Sequence, residues 1–483
     1  MKKQTVIAAA LAVLLLASCS SEVNDQTAGT SSAADTQTAA DTESTAFDAV
    51  PALDFGGKEL RMLQQSQNLY YIDAEEETGD PVNDAIYRRN SKLEDRFNMK
   101  FHLIDRGIDF GEVSDAVRRA VDAGEDAYDL ILNQIFRSGQ MATSGYFQSW
   151  TEIPYIALEQ PWYTKAIREA GSVADQLLML ESDLVLSYAA QTWLLLYNKT
   201  DAAALDIADL YDVVNDGKWT YDMLYELSSE AYSDLNGDGS ADKDDYYGFA
   251  ATLGGCMLTS CFYAGEGRMV ELSDNLELSY PIENEHSFDV FGKLSELFYN
   301  NPGAIRTADA LSSTRVELFP HGNILFQFML AGDLLWEEMR SLSDEFGVLP
   351  MPKFDEAQTE YYTLVDGGAD IMTIPITAAD SALIGAVVEA ASADSYYDLM
   401  PTYMGLAMEQ KGTRDEESVA MLRFVFDSRI MDFAYLYDGG DGFAFDIANI
   451  IRRPDKMVST LERSMKSVSA YYEKIIEEMR NAE

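Results

Sequence analysis

The sequence predicts an α/β fold, and three observations carry the prediction. From Lys58 onward, short alternating or apolar runs are separated by amphipathic helical stretches in the order βαβαβ, which implies parallel strands with helices packed on a sheet. The chain is 483 residues long and 47% hydrophobic, ordinary for a globular protein but longer than one core usually supports, so two or three domains are expected. The chain also ends in a long amphipathic stretch, from Pro454 through Met457, Leu461, Met465, Val468, Tyr472, Ile475 and Met479, which predicts a C-terminal helix with a proline in its first turn.

Glu59–Leu63 reads as a short strand. Val82, Ile86, Leu93 and Phe97 share one helical face behind Asp80-Pro81, a cap followed by a first-turn proline. Lys100–Ile104 alternates as a strand does, and Val113, Val117, Ala120 and Val121 make a second helical stripe ending near Gly124. Asp129–Leu132 is a brief apolar strand. Ligands of open α/β sheets bind beyond the carboxyl ends of the strands, which places Gln64, Gln65, Asn133 and Gln134 at the edge of an expected cleft; ordinary loop hydrogen bonding is the alternative for each. Further on, Leu184–Tyr197 is a long apolar segment, and Thr220 is placed to cap a helix carrying Met223, Leu224 and Leu227. Strands are expected within 323–330, 347–351 and 371–374. No internal repeat is present.

The N-terminus reads as an export signal. Met1-Lys2-Lys3 is basic, and the uncharged run that follows is too short for the roughly 20 residues a bilayer requires, yet suits a secretory core. Leu16-Ala17-Ser18-Cys19 resembles the lipobox of bacterial lipoproteins, which implies cleavage of residues 1–18 and lipid attachment at Cys19; an ordinary signal peptide with a chance cysteine is the alternative. Residues 19–54 then form an anchor and a flexible Ser-, Thr-, Ala- and Asp-rich linker, with too little apolar surface to offset ordering entropy. The expected location is the outer face of the cell membrane, or the periplasm.

With 35 Lys plus Arg against 82 Asp plus Glu, the net charge is −47. A nucleic-acid polyanion would be repelled and would find no basic stripe. Three His make a multi-histidine metal centre unexpected, and three Cys exclude a disulfide-dense scaffold. Cys256 and Cys261 leave open one disulfide or two buried thiols.

The sharpest local motif is a calcium loop. Asp234, Asn236, Asp238, Ser240, Asp242 and Asp245 fall at the oxygen-donor positions of an EF-hand-type loop, with Gly239 at the sharp turn and Asp245 in place of the usual Glu, as in dockerin-type loops. A structural calcium ion is expected there; an acidic, Gly-rich surface loop is the alternative. Aromatic rings suit sugar faces, and Trp219, at a helix start, and Trp193 are the two rings expected in a cleft; a place in the core is the alternative for each. Asp438, opening Gly439-Gly440-Asp441-Gly442-Phe443, is a further ligand candidate, though a plain loop accounts for it equally well.

Several segments together resemble the extracellular solute-binding proteins of ABC importers, in the maltose-binding-protein-like family: Leu196-Tyr197-Asn198-Lys199, Lys218-Trp219-Thr220-Tyr221, His321-Gly322-Asn323 leading to Met329 and Gly332-Asp333, Gly347 to Lys353, and Gly367-Gly368. The resemblance implies a two-lobe, periplasmic-binding-protein-like (class II) fold with a hinge and C-terminal helices. It implies lobe one at 55–188 and 367–410, and lobe two at 192–362 and 411–483, with crossovers near Tyr188–Gln191 and Tyr362–Gly367. It also places Gln191, Met329, Asp333 and Gly367 at the ligand cleft. The family's Gly-Pro-Trp tryptophan has no counterpart near Met329–Asp333. The function implied is a monomeric, lipid-anchored receptor that captures an oligosaccharide and delivers it to an ABC permease without catalysis. A peptide-binding receptor is an alternative, as is a glycoside-active surface enzyme, whose paired carboxylates 82 acids supply by chance; a calcium-dependent adhesion lipoprotein is the third. None of GxSxG, HExxH or GxxxxGK[ST] occurs.

Overall fold

The computed structural model describes residues 50–65, 71–107, 109, 111–240, 244–252, 254–307, 319, 323–342, 344–410, 413–438 and 443–481. The signal segment, Cys19 and most of the linker lie outside the described residues, as do Asp242, His321, Gly322 and Gly439–Gly442. Among the described residues no helix is long and apolar enough to cross a membrane.

Among the described residues the chain builds two large sheets, with four two-stranded ones beside them. The first contains β1 (Lys58–Gln64), β2 (Met99–Asp105) and β3 (Leu130–Gln134), joined by α1 (Pro81–Phe97) and α2 (Glu112–Asp122). β1 runs parallel to β2 and to β3, as the βαβαβ pattern predicts. Asp80 caps α1, its carboxylate accepting from Val82 N and Asn83 N, and Pro81 occupies the first turn, where no intrahelical donor is lost. Val82, Ile86, Leu93 and Phe97 form the buried face of α1. A short helix, α3 (Ile135–Ala142), follows β3 directly, and α4 (Lys165–Gly171) lies further on.

The passage to the second sheet runs through α5 (Leu186–Ala190) into β4 (Trp193–Asn198), so the apolar segment at 184–197 is helix and then strand. Next come α6 (Tyr221–Ser229), capped by the Thr220 hydroxyl accepting from Met223 N, β5 (Tyr247–Thr252) and α7 (Gly255–Ala264). β6 (Ala304–Thr307), β7 (Ile324–Leu330) and β8 (Phe346–Leu349) complete a five-stranded sheet in the order β6-β5-β7-β4-β8. All seven residues of β7 and all six of β4 are buried, as expected of central strands covered on both faces.

The chain then returns to the first sheet with β9 (Asp370–Thr373), which adds antiparallel beside β3 to give the order β9-β3-β1-β2. The outgoing and returning segments touch: Thr192 bridges Val365, and Asp366 N donates to Gln191 O at 2.9 Å.

α8 (Ser381–Asp394) packs in the core of the first sheet. α9 (Glu416–Asp427) lies on β8 of the second, while α10 (Phe433–Leu436) sits against α3 and α4 of the first. α11 (Phe443–Arg452) returns to α7, and α12 (Met457–Asn481) packs on α11. Residues 411–483, expected with the second lobe, therefore send 429–438 back onto the first, a third passage between the sheets. The physical reason is close packing: Gly139 of α3 leaves room for the Leu436 backbone, where a Cβ would stand 2.2 Å from its carbonyl oxygen. Pro454 opens a single 3-10 turn ahead of α12.

Candidate functional site

The carboxyl ends of β1 and β3 point toward the crossovers, and their polar side chains are tied down there. Gln64 is buried and its Nε2 donates to Asp370 Oδ2 at 2.9 Å; the same oxygen lies 3.4 Å from Ser187 Oγ, and Asp370 N donates back to that hydroxyl at 3.2 Å. One carboxylate thus links β1, β9 and the outgoing crossover. Asn133 Nδ2 donates to Ser114 Oγ at 3.1 Å, while its Oδ1 is buried without a hydrogen-bond partner. Gln65 is fully buried and Gln134 half-buried beside Gly368. Gln191, half-buried, gives its carbonyl to Asp366 N.

Next to them lies a packed aromatic group, with Tyr263 and Tyr435 fully buried and Phe136 half-buried. Phe136, in the first turn of α3, meets Tyr435 of α10 edge-on with ring centroids 5.0 Å apart, and Tyr435 meets Tyr263 of α7 at 6.4 Å. Gly367 closes on this group so tightly that a Cβ would lie 2.1 Å from the Phe136 ring. The Cys256 thiol, in the first turn of α7, sits among Tyr435, Asp366 and Gly367. Burial pushes the Cys256 thiol and the Tyr263 and Tyr435 hydroxyls well above their ordinary values, and raises Asp432, beside Tyr263, to about 6. At neutral pH the thiol and both hydroxyls are therefore protonated. They offer hydrogen bonds and apolar faces, not a nucleophile with a base beside it.

Phe136, Cys256, Tyr263, Asp366 and Tyr435 were not legible as site residues, because no motif marks them; only the place of Phe136, two residues beyond Gln134, hinted at a role. Cys256 and Cys261 are both free thiols. They stand five apart on one helix, which settles the disulfide alternative.

Other expected ligand residues lie in the cores. Trp219 is fully buried, its indole N–H donating to Pro350 O at 3.0 Å and its ring 5.7 Å from Phe326. In this conformation it pins α6 to the second sheet and presents no cleft surface. Trp193 opens β4 opposite Leu330, and Met329 lies opposite Leu194; both are buried. Asp333 turns its carboxylate onto Leu330 N at 3.1 Å, and Asp438 turns its own onto Ala444 N at 3.2 Å, near the start of α11. Each serves the local backbone.

In the 234–245 loop the same holds for the described oxygens. Asp234 accepts from Gly237 N at 2.6 Å and Gly239 N at 2.9 Å, Asn236 from Asp238 N at 2.9 Å, and Asp238 from Ser240 N at 2.7 Å. Gly237 and Gly239 have φ of 73° and 75°, a conformation glycine adopts without strain. Asp245 is fully buried and accepts from Tyr232 Oη and Leu235 N, each at 3.2 Å. Among the described residues no three His, Cys, Asp or Glu side chains are grouped so as to hold a metal ion.

No family model and no curated protein matches the chain. Solved structures do. A cyclo/maltodextrin-binding protein complexed with maltotetraose matches at 12% identity, over 86% of this chain and 98% of its own, with a TM-score of 0.57. The ABC substrate-binding protein Lmo0181 from Listeria monocytogenes, in complex with cycloalternan, matches at 12% identity over 86% and 99%, with a TM-score of 0.55. UgpB from Mycobacterium tuberculosis, in complex with glycerophosphocholine, matches at 16% identity over 87% and 99%, also with a TM-score of 0.55. The chain has the α/β fold of the maltose-binding-protein-like solute-binding proteins, as its sequence resemblance implies.

Proposed function

We propose that this protein is a lipid-anchored receptor of an ABC importer that captures an oligosaccharide between two lobes and hands it on chemically unchanged. The lobes are the two sheets with their helices, and the hinge is the set of passages at 188–192, 365–367 and 429–438. The observation that carries the reading is the neighbourhood of unlike groups at those passages: buried amides at the ends of β1 and β3 and, on the other side of Gly367–Gly368, the packed Phe136–Tyr435–Tyr263 rings. Sugar recognition needs both, since fixed polar groups set orientation and ring faces supply contact area. Opening about the passages would admit a guest and closure would bury it. The fold neighbours named for cycloalternan and maltotetraose support a carbohydrate guest.

Cys19 is proposed as the lipid-bearing residue, with residues 20–49 as the tether and a monomer as the working unit. The 234–245 loop is proposed to take one structural calcium ion once its carboxylates turn inward from the backbone groups they now accept; chelation would then lower the melting temperature of calcium-loaded protein, and no shift would remove this element.

The test of the main reading is a thermal-shift and calorimetric screen of the purified mature chain against neutral oligosaccharides, glycerophosphodiesters and peptides, with product analysis after incubation. A neutral oligosaccharide is expected to raise the melting temperature and to be recovered intact. Stabilisation only by a phosphodiester or a peptide would overturn the sugar assignment, and recovery of cleaved sugar would overturn the receptor.

A further inference from the structure

Solute binding leaves one group of ionisable side chains without a role. Leu180 pairs with Met372 of β9, and the next residues, Glu181 to Asp183, lead straight into the outgoing passage. Glu181 is 2% exposed; it accepts a hydrogen bond from the Thr164 hydroxyl and feels both Arg429 and Asp183. Asp183 faces Arg429 as well. Arg429 lies on the third passage: its guanidinium stands over the Tyr188 ring at 5.2 Å and its Nε donates to Phe426 O at 2.8 Å. Residues 429–430 pair in parallel with Thr363–Leu364 of the returning passage. Tyr188 itself is wholly buried, and its hydroxyl has no hydrogen-bond partner. One charge cluster therefore touches all three passages between the sheets.

The cluster borders a cavity of about 270 Å³ lined by Trp162, Asp183, Phe426, Asp427 and Arg429 among others. The remaining charges on that cavity are already engaged or of the wrong sign: Arg168 pairs with Glu159 at 2.8 Å, Lys165 with Glu169 at 3.4 Å, and Asp427 adds a further acid. Tyr396 lies beside Asp183 and Asp427, with Arg423 near it. Two carboxyls, Glu181 buried and Asp183 part-exposed, thus lie near one part-exposed guanidinium without a direct ion pair to it. If both ionise, one negative charge is left uncompensated, and burial makes that costly.

We propose that Glu181, Asp183 and Arg429 form a proton-linked brake on lobe movement: with one proton bound the cluster is neutral and the passages stay packed, and its loss admits water and loosens them. Burial, opposed by Arg429, raises Glu181 to about 8 and Asp183 to about 7, so a first proton leaves near neutrality and the last, whose loss leaves the uncompensated charge, in the mildly alkaline range. The sign follows from linkage. The unfolded carboxyls titrate near pH 4, the native cluster holds the extra proton above that, and stability falls as pH rises from about 4 through about 8. The inference rests on the passages being the hinge of the proposed receptor.

The experiment uses ligand-free mature protein, so it does not depend on identifying the sugar, and the sugar screen does not depend on it. Hydrogen exchange of 186–192 and 363–366, corrected for intrinsic rates, is measured from pH 5.5 to 8.5 alongside the melting temperature. In the unmodified chain, protection of these amides is expected to drop by about tenfold per pH unit for each extra proton held, up to about pH 8, and the melting temperature to fall by several degrees across that range. Glu181→Gln keeps the shape and stays neutral, and should flatten both trends; Asp183→Asn, the second variant should the first fail to fold, should do the same. PH trends unchanged in whichever variants fold would overturn the proposal. So would a flattened melting trend with exchange at the passages still pH-dependent, because the cluster would then be a stability element only.

Discussion

At the passages the first sheet contributes amides and a carboxylate, whereas the helices packed there contribute rings and a thiol. Gln64, Asn133 and Asp370 are fixed by bonds to Asp370, Ser114 and Ser187. Phe136, Tyr263 and Tyr435 are held by one another, at centroid distances of 5.0 and 6.4 Å. The first rim is ordered by hydrogen bonds whose loss leaves buried polar atoms exposed to no water; the second is ordered by packing, which tolerates polar change and punishes added volume. The two rims should therefore fail in opposite ways.

A large effect is expected from added volume on the packed side. Gly367→Ala would bring a methyl to 2.1 Å from the Phe136 ring, and overpacking of this kind costs about 1–3 kcal/mol or more. A fall in melting temperature of about 1–3 °C follows for a chain of this size, with any ligand affinity lost as Phe136 is pushed aside. Gly292→Ala is the control: its Cβ would meet nothing within 4 Å, and it lies inside the helix Glu285–Ser295. There the melting temperature should hold or rise, as helix propensity favours alanine by roughly 1 kcal/mol. Equal behaviour of the two variants in a thermal melt would erase the distinction between the rims.

The hydrogen-bonded side should respond next. Gln64→Leu keeps the bulk and removes the donor to Asp370, which remains buried with Ser187 against it. Leaving a buried carboxylate short of a donor costs about 1–3 kcal/mol. Urea unfolding should show that loss as a lower midpoint at unchanged slope. A midpoint equal to that of the unmodified chain would mean that the amide does not order the rim.

This contrast also explains what the sequence could tell. The place of Gln64, Asn133 and Gln134 at the carboxyl ends of β1 and β3 was legible because strand ends follow from local periodicity in a parallel βαβ unit. The second rim was not, because Tyr435 arrives from a four-residue helix on the third passage, and nothing near it in sequence reports that Phe136 waits 5.0 Å away. Trp219 shows the limit from the other side. Its place ahead of the Thr220 cap was read correctly, but the position before a cap often turns inward as a staple, and here it carries the indole to Pro350 O inside the second core. Periodicity says that a ring lies at a helix start; whether it faces crevice or core is decided by strands more than a hundred residues on.

The smallest effect separates the rims most finely. The Tyr435 hydroxyl is buried near the Cys256 thiol without a hydrogen-bond partner, and burial holds both protonated. If the ring orders this rim by packing alone, Tyr435→Phe deletes almost nothing: a change within about 0.5 kcal/mol in stability is expected, and whatever sugar the unmodified chain binds should bind within a few-fold. Tyr435→Ala removes the contacts to both Phe136 and Tyr263, and large-to-small changes at buried aromatics cost about 3–5 kcal/mol. The ratio of the two effects is the measurement, since it cancels errors common to both melts. A phenylalanine variant as damaged as the alanine one would show that the hydroxyl matters, and the aromatic rim would then be as dependent on hydrogen bonding as the amide rim beside it.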